Sequence, residues 1–118
     1  MSDYRNLVVW KDSVDLAVDV FRLVDRLSHD LRITVGDQIR RSALSIPSNL
    51  AEGTGRSSRR EMIRFARYSI GSLYELETQL VILGRLDRAS PGAIELLERA
   101  DTLAKQLSAL VRTLTSRS

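Results

Sequence analysis

Apolar residues recur along this chain at helical spacing, in four segments separated by short polar stretches. Residues three and four positions apart lie on one face of an α-helix, so this pattern predicts amphipathic helices. We place them at about residues 10–27, 33–53, 59–86 and 91–114 of a single domain that spans residues 1–118. Because the connections are short, the simplest topology is an antiparallel up-and-down four-helix bundle, which is an all-α fold.

The first and third predicted helices carry more apolar surface than one small core needs. Two adjacent apolar stripes cover about half of the first helix, whereas an ordinary amphipathic helix needs about 100°. The main core stripe predicted for the third helix consists of Met62, Phe65, Ala66, Ser69, Leu73, Leu76, Leu80 and Leu83. Beside it, Ile63, Ile70, Tyr74 and Val81 form a second stripe. Leu44 falls among polar residues of the second helix. Either the first helix lies centrally in the bundle, or these surfaces also face another subunit.

Several residues mark the ends of the helices. The Gly-Thr-Gly at 53–55 predicts a left-handed C-terminal cap for the second helix. Ser58 and Glu61 have the spacing of a capping box, which predicts that the third helix begins at Arg59. Ser90-Pro91 predicts the start of the fourth helix, with serine as N-cap and proline in the first turn.

Two residues inside the predicted helices are unusual there. Pro47 cannot donate to the carbonyl of Ala43, and its ring crowds the preceding turn. We therefore expect a kink near residues 42–46, or a short break in the second helix. Gly71 is unfavourable inside a helix unless a neighbouring backbone comes close, so we expect a close approach at this position.

The composition disfavours catalysis and metal binding. Cysteine is absent, which excludes disulfides, thiolate metal sites and a catalytic thiol. His29 is the sole histidine, and a bundle-type metal site needs a histidine from each of two helices. No nucleophile or phosphate-loop motif is present. With neither a secretory signal nor an apolar run of roughly 20 residues, we predict a non-enzymatic cytoplasmic protein without cofactor, metal or membrane span.

Positive charge is concentrated in the middle of the chain. The net charge is +3, yet residues 31–67 hold eight arginines against three acidic side chains. Arg56, Arg59 and Arg60 surround the predicted helix junction, and Arg64 and Arg67 continue along one side of the third helix. A helix N-terminus adds partial positive charge and free N–H groups. This pattern favours contacts with nucleic-acid phosphates, with little sequence readout. A solvated helix face, or salt bridges to the acidic first helix or a neighbouring chain, is the alternative.

The other notable side chains are predicted to be structural. Base stacking is not expected, because the aromatic residues Trp10, Phe21 and Phe65 all fall on apolar stripes. Glu77 lies near the apolar arc of the third helix, where a partly buried carboxylate needs a cation. We expect Arg40 or Arg41 to supply it.

Four segments of the chain together resemble one protein family. They are LVVWK at 7–11, QIRRSA at 38–43, SIPSNLAEG at 45–53, and GS followed by ELE within 71–77. They resemble the signature of the four-helix bundle proteins encoded in intervening sequences of bacterial 23S ribosomal RNA genes. The accessory protein of diversity-generating retroelements belongs to the same family. The resemblance runs from residue 4 to about 112, and residues 27–34 depart from the Phe-Pro entry to the second helix that is usual there.

The resemblance implies a ring-like homopentamer of four-helix bundles with a basic surface for nucleic acid. In the retroelement branch it also implies binding to a reverse transcriptase, and it implies no enzymatic activity. The predicted nucleic-acid-binding residues are Arg40, Arg41, Arg56, Arg59, Arg60, Arg64 and Arg67. The first two and the Arg56 neighbourhood follow from the resemblance, and the other four follow from charge geometry alone.

We therefore predict a non-enzymatic, oligomeric bundle that binds RNA or DNA through arginines. The alternative is a protein-interaction scaffold, or an accessory subunit of an enzyme such as a reverse transcriptase. In that case the basic face would receive an acidic protein partner.

Overall fold

The computed structural model describes residues 4–87 and 92–117. Within these ranges the long helices are α1 (Val8–Asp25), α2 (Asp37–Gly55), α3 (Arg59–Leu86) and α4 (Gly92–Ser116). Each helix packs against the one before and after it in the chain, and α1 also packs against α4. The four helices thus close into the predicted up-and-down bundle, with extents of 47 × 20 × 19 Å.

One apolar core runs the length of the bundle and receives side chains from all four helices. Its fully buried members include Val20, Val24, Ile39, Ala43, Ile46, Leu50, Ala66, Leu73, Leu76, Leu83, Ala100 and Leu107. The main core stripe predicted for α3 is confirmed from Ala66 to Leu83. Met62 and Phe65, at the start of that stripe, are only half-buried. The first turns of α3 therefore lie at the edge of the core, close to solvent.

The helical path into α2 begins earlier than predicted. Ser28 caps a short turn at His29–Leu31 by accepting a hydrogen bond from the Leu31 N–H at 3.5 Å. A π-helical turn at Arg32–Gly36 then leads directly into α2. A Cβ at Gly36 would lie 2.9 Å from Val24 Cγ1, so glycine allows this turn to pack closely on α1. The predicted start of α4 at Ser90-Pro91 lies outside the described residues.

The helix α2 continues through Pro47 without the short break that we considered. Side chains supply donors to the carbonyls around the proline: Ser48 to Leu44 at 2.8 Å, and Asn49 to Ser45 at 2.8 Å. The buried Ser69 of α3 donates to the Ile46 carbonyl at 2.8 Å. Polar side chains of α2 and α3 thus bind the three carbonyls directly before Pro47, next to the Ala43 carbonyl that loses its helical donor.

One prediction about glycines was wrong, and another is not confirmed within the described part of the chain. In the described part of the chain no residue has a positive φ, so residues 53–55 form no left-handed cap. The helix α2 runs through Gly55, and Arg56 leaves it with extended backbone angles. Gly53 instead faces α3, where an added Cβ would lie 2.8 Å from Phe65 Cβ. At Gly71 an added Cβ would meet nothing within 4 Å, so the expected close approach does not occur within the chain.

Candidate nucleic-acid interface

The corner between α2 and α3 is short and well defined. Only residues 56–58 separate the two helices. Ser58 caps α3 as predicted, because its Oγ accepts a hydrogen bond from the Glu61 N–H at 3.1 Å. The Glu61 carboxylate pairs with Arg64 at 3.1 Å. Since Gly53 also lets α3 pack closely on the end of α2, the arginines on both sides of the corner share one region of the surface.

We call this region the arginine surface, and it consists of Arg56, Arg59, Arg60, Arg64 and Arg67. All five residues are exposed. Arg56 pairs with Glu52 at 2.7 Å and Arg64 with Glu61. Arg59 donates to the Arg117 carbonyl at 2.6 Å, and no carboxylate among the described residues pairs with Arg59, Arg60 or Arg67. Three of the five guanidinium groups are therefore available for anionic groups of a ligand.

The other two predicted arginines, Arg40 and Arg41, do not join this surface. They lie in the first turns of α2 and pair with Asp37 at 3.7 and 3.1 Å. At a rise of 1.5 Å per residue, the 16 positions from Arg40 to Arg56 correspond to about 24 Å along the helix axis. The seven predicted residues thus fall into two separate groups.

The arginine surface also contains an aromatic pair. The rings of Phe65 and Tyr68 meet edge to face, with centroids 5.4 Å apart. The Arg56 guanidinium lies 5.1 Å from the Phe65 centroid, and that of Arg64 lies 5.6 Å from the Tyr68 centroid. Arg64 Nε also donates to the Tyr68 hydroxyl at 3.0 Å. This hydrogen bond, with a smaller effect of Glu61, raises the pKa of Arg64 above its usual value.

Sequence reasoning missed Tyr68, which is 47% exposed. Its position in the sequence could have identified it, because Tyr68 follows Arg64 by four residues and Arg60 by eight, which places it on the same side of α3 as these arginines. The aromatic residues Trp10, Phe21 and Phe65, which fall on apolar stripes, gave the expectation that base stacking has no part. Phe65 is half-buried with its Cβ close to Gly53, and its ring contacts the exposed Tyr68.

Two depressions adjoin the arginine surface. One, of about 570 Å³, is open to solvent beside Arg60, Arg64, Arg67 and Tyr68. The other, of about 670 Å³, lies at the end of the bundle and has an apolar floor that includes Met62. Arg59 lines both. These arginines offer successive contacts for phosphates over about two turns of α3. Within residues 4–87 and 92–117 no group of three metal-ligating side chains occurs.

A second charged region lies between α3 and α4, and it corrects our prediction for Glu77. Neither Arg40 nor Arg41 pairs with Glu77, whose buried Oε1 accepts no hydrogen bond from the described residues. Burial, and then repulsion by Asp101, raises the pKa of Glu77. Elsewhere Arg99 of α4 reaches Asp19 of α1 at 2.7 Å. The hydrogen bond from Arg99 lowers the pKa of Asp19.

We predict that Glu77→Gln stabilises the protein at neutral pH. Because its folded-state pKa is raised, ionised Glu77 costs stability as the pH rises above the ordinary glutamate value of about 4.3. The substitution should raise the free energy of unfolding by about 0.5 to 1 kcal/mol at pH 7, and the gain should shrink below pH ~4. Urea unfolding at pH 7 and below pH ~4 measures the free energy of unfolding of the native protein and the variant.

The matched control is Glu75→Gln, since Glu75 is exposed on a different side of α3. It should change the stability little at either pH. Destabilisation by Glu77→Gln at pH 7 would contradict the prediction, because it would reveal a favourable partner for the carboxylate.

Comparisons with known proteins agree with this fold. A sequence model of the 23S rRNA-intervening sequence protein family matches residues 5–109. A crystal structure from Bacteroides thetaiotaomicron, described as a protein with unknown function from the S23 ribosomal protein family, has a TM-score of 0.80. The match has 24% sequence identity and covers 88% of this chain and 98% of that chain, which supports a shared fold. Comparison with curated proteins gave no match. No described helix has the length and hydropathy to cross a membrane.

Proposed function

We propose that this chain, which belongs to the 23S rRNA-intervening sequence protein family, is a non-enzymatic protein that binds the phosphate backbone of RNA or DNA. The observation that carries the proposal is the arginine surface. There Arg59, Arg60 and Arg67 are exposed at one corner of the bundle and have no carboxylate partner among the described residues.

The chemistry of these side chains favours phosphate as the ligand. Guanidinium groups bind phosphate oxygens with two parallel hydrogen bonds, and they give up hydration more readily than an ammonium group. Arg60 and Arg64 are one turn apart on α3, so neighbouring phosphates can be contacted in succession. The helix N-terminus at Arg59 adds partial positive charge to the same corner. Such contacts carry no sequence information, which gives general binding with little specificity.

Equilibrium binding across a salt series tests this function. A fluorescently labelled RNA or DNA of mixed sequence is titrated with the protein at several salt concentrations, and anisotropy reports binding. We expect binding at low salt that weakens steeply as salt rises, because each phosphate contact releases counterions. Absence of binding at low salt would overturn the proposal and favour an acidic protein as the partner of the arginine surface.

We further propose that the protein self-associates, with the homopentamer implied by the family resemblance as the expected assembly. The second stripe of α3 supports this. Ile63 and Ile70 are half-buried against the core, whereas Tyr74 is 54% exposed and Val81 is 41% exposed. Leu44 on α2 is also exposed. Exposed apolar side chains aligned on one helix are typical of a surface that another protein covers.

Light scattering on the purified protein measures the assembly. We expect a mass of about five times the 13.3 kDa of the chain. Replacing Tyr74 and Val81 by glutamate should reduce the mass, because charge is costly in an apolar interface. The control is the same double replacement at Gln106 and Thr113 of α4, two exposed polar residues that are also seven positions apart. A monomeric native protein would contradict this proposal and leave nucleic-acid binding to be judged on its own.

A further inference from the structure

Tyr68 combines features that the phosphate function alone does not require. It is 47% exposed on the arginine surface, where an arginine or lysine would serve phosphate binding better. Its ring lines the same depression as Arg60, Arg64 and Arg67. An aromatic side chain among cations is the arrangement used for single-stranded nucleic acid, where bases stack on rings and cations follow the backbone.

The Tyr68 ring is also held in place. Its edge-to-face contact with Phe65 has an interplanar angle of 86°. Phe65 is itself half-buried at the edge of the core and has the Arg56 guanidinium 5.1 Å from its centroid. The Tyr68 hydroxyl accepts a hydrogen bond from Arg64 Nε. A ring fixed from two sides loses little conformational freedom when a base stacks on it, so its exposed part serves as a preorganised platform.

The geometry of a duplex does not suit this platform. In a duplex the faces of the bases are stacked on each other, and only their edges and the backbone are accessible. A base of a single strand can turn outwards and stack on an aromatic ring. Arg60 and Arg67 lie within about two turns of Tyr68 on α3, so the strand that supplies the base can also supply phosphates to both arginines.

We propose that the ligand of the arginine surface is a single-stranded nucleic acid, one of whose bases stacks on Tyr68 while Arg60, Arg64 and Arg67 contact its phosphates. This inference rests on the proposed function and narrows the ligand from nucleic acid in general to unpaired strands. Stacking accepts every base, so binding stays tolerant of sequence. Stacking of a base on Tyr68 replaces our expectation from the sequence that base stacking has no part in binding.

The test compares one mixed-sequence strand, free and annealed to its complement, in RNA and DNA versions. We expect the native protein to bind the free strand more tightly than the duplex. Tyr68→Ala should weaken binding of the free strand about 5- to 100-fold and leave duplex binding unchanged. Tyr68→Phe keeps the ring and removes the hydroxyl, so it should bind the free strand almost as the native protein does. The salt dependence should stay the same in both variants, since no cation is removed.

Three results would overturn the inference: duplex binding as tight as free-strand binding, equal losses for both in Tyr68→Ala, or no loss for the free strand. Each leaves phosphate binding intact, so none of them refutes the proposed function. Absence of binding by the native protein at low salt would refute both. Thermal unfolding of Tyr68→Ala verifies that the exposed substitution leaves the bundle folded.

Discussion

Replacing Arg60, Arg64 and Arg67 together by glutamine should weaken nucleic-acid binding by about 100-fold at 0.1 M salt. Binding of a phosphate releases counterions, so each phosphate contact on a single strand contributes about 0.7 to the slope of log affinity against log salt. Three contacts account for about two decades of affinity between 0.1 M and 1 M salt. Fluorescence anisotropy with the labelled strand gives the dissociation constants directly.

The matched control replaces Arg22, Arg26 and Arg85 by glutamine. These residues are also exposed, and they lie outside the arginine surface. Both variants lower the net charge of +3 by the same amount, so a difference between them reports position rather than total charge. We expect the control to bind within a fewfold of the native protein. Equal losses of affinity in both variants would mean that binding depends on the total charge of the protein and not on the arginine surface.

Gly53→Ala should destabilise the protein by about 1 to 2 kcal/mol, although alanine favours a helix more than glycine does. The new Cβ would lie 2.8 Å from Phe65 Cβ and 3.1 Å from Met62 Sδ. The methionine side chain can move, but the Phe65 Cβ is attached to the backbone of α3, so the helices must separate. Because Phe65 supports Tyr68, we also expect weaker binding of a single strand. Urea unfolding measures the stability.

The control for this substitution is Gly71→Ala. Apart from the neighbouring backbone of α3 itself, no atom of the described residues lies within 4 Å of the added Cβ, and Gly71 is exposed. The substitution should therefore stabilise the protein by about 0.5 to 1 kcal/mol through helix propensity alone. Stabilisation by Gly53→Ala would contradict the close packing of α2 on α3. Destabilisation by Gly71→Ala would indicate that a second subunit packs at that position.

The sequence predicted the bundle well because its helices are amphipathic over long stretches. The main core stripe of α3 and the cap at Ser58 both follow from local spacing, and the structure confirms both. The glycines were misinterpreted because their role depends on which helices approach each other. A Gly-Thr-Gly stretch is compatible with a cap or with a tight helix contact, and only the packing of Phe65 on Gly53 distinguishes them.

The candidate site was less predictable, since it depends on distances between side chains. The grouping of Arg56 to Arg67 followed from their spacing, but the separation of Arg40 and Arg41 required the full length of α2. Glu77 lies beside Asp101 of α4, whereas Arg40 and Arg41 pair with Asp37 within α2, and this arrangement depends on the packing of the helices. Tyr68 was overlooked because a tyrosine outside the apolar stripes gives no periodic signal of its own.

The slope of log affinity against log salt, measured for the native protein and both triple-arginine variants, tests the central claim most directly. If the arginine surface holds the phosphate backbone, the slope should become shallower by about two for the Arg60, Arg64 and Arg67 variant on a single strand. The Arg22, Arg26 and Arg85 variant should keep the native slope. Equal slopes in all three proteins, or no binding by the native protein at low salt, would contradict the claim.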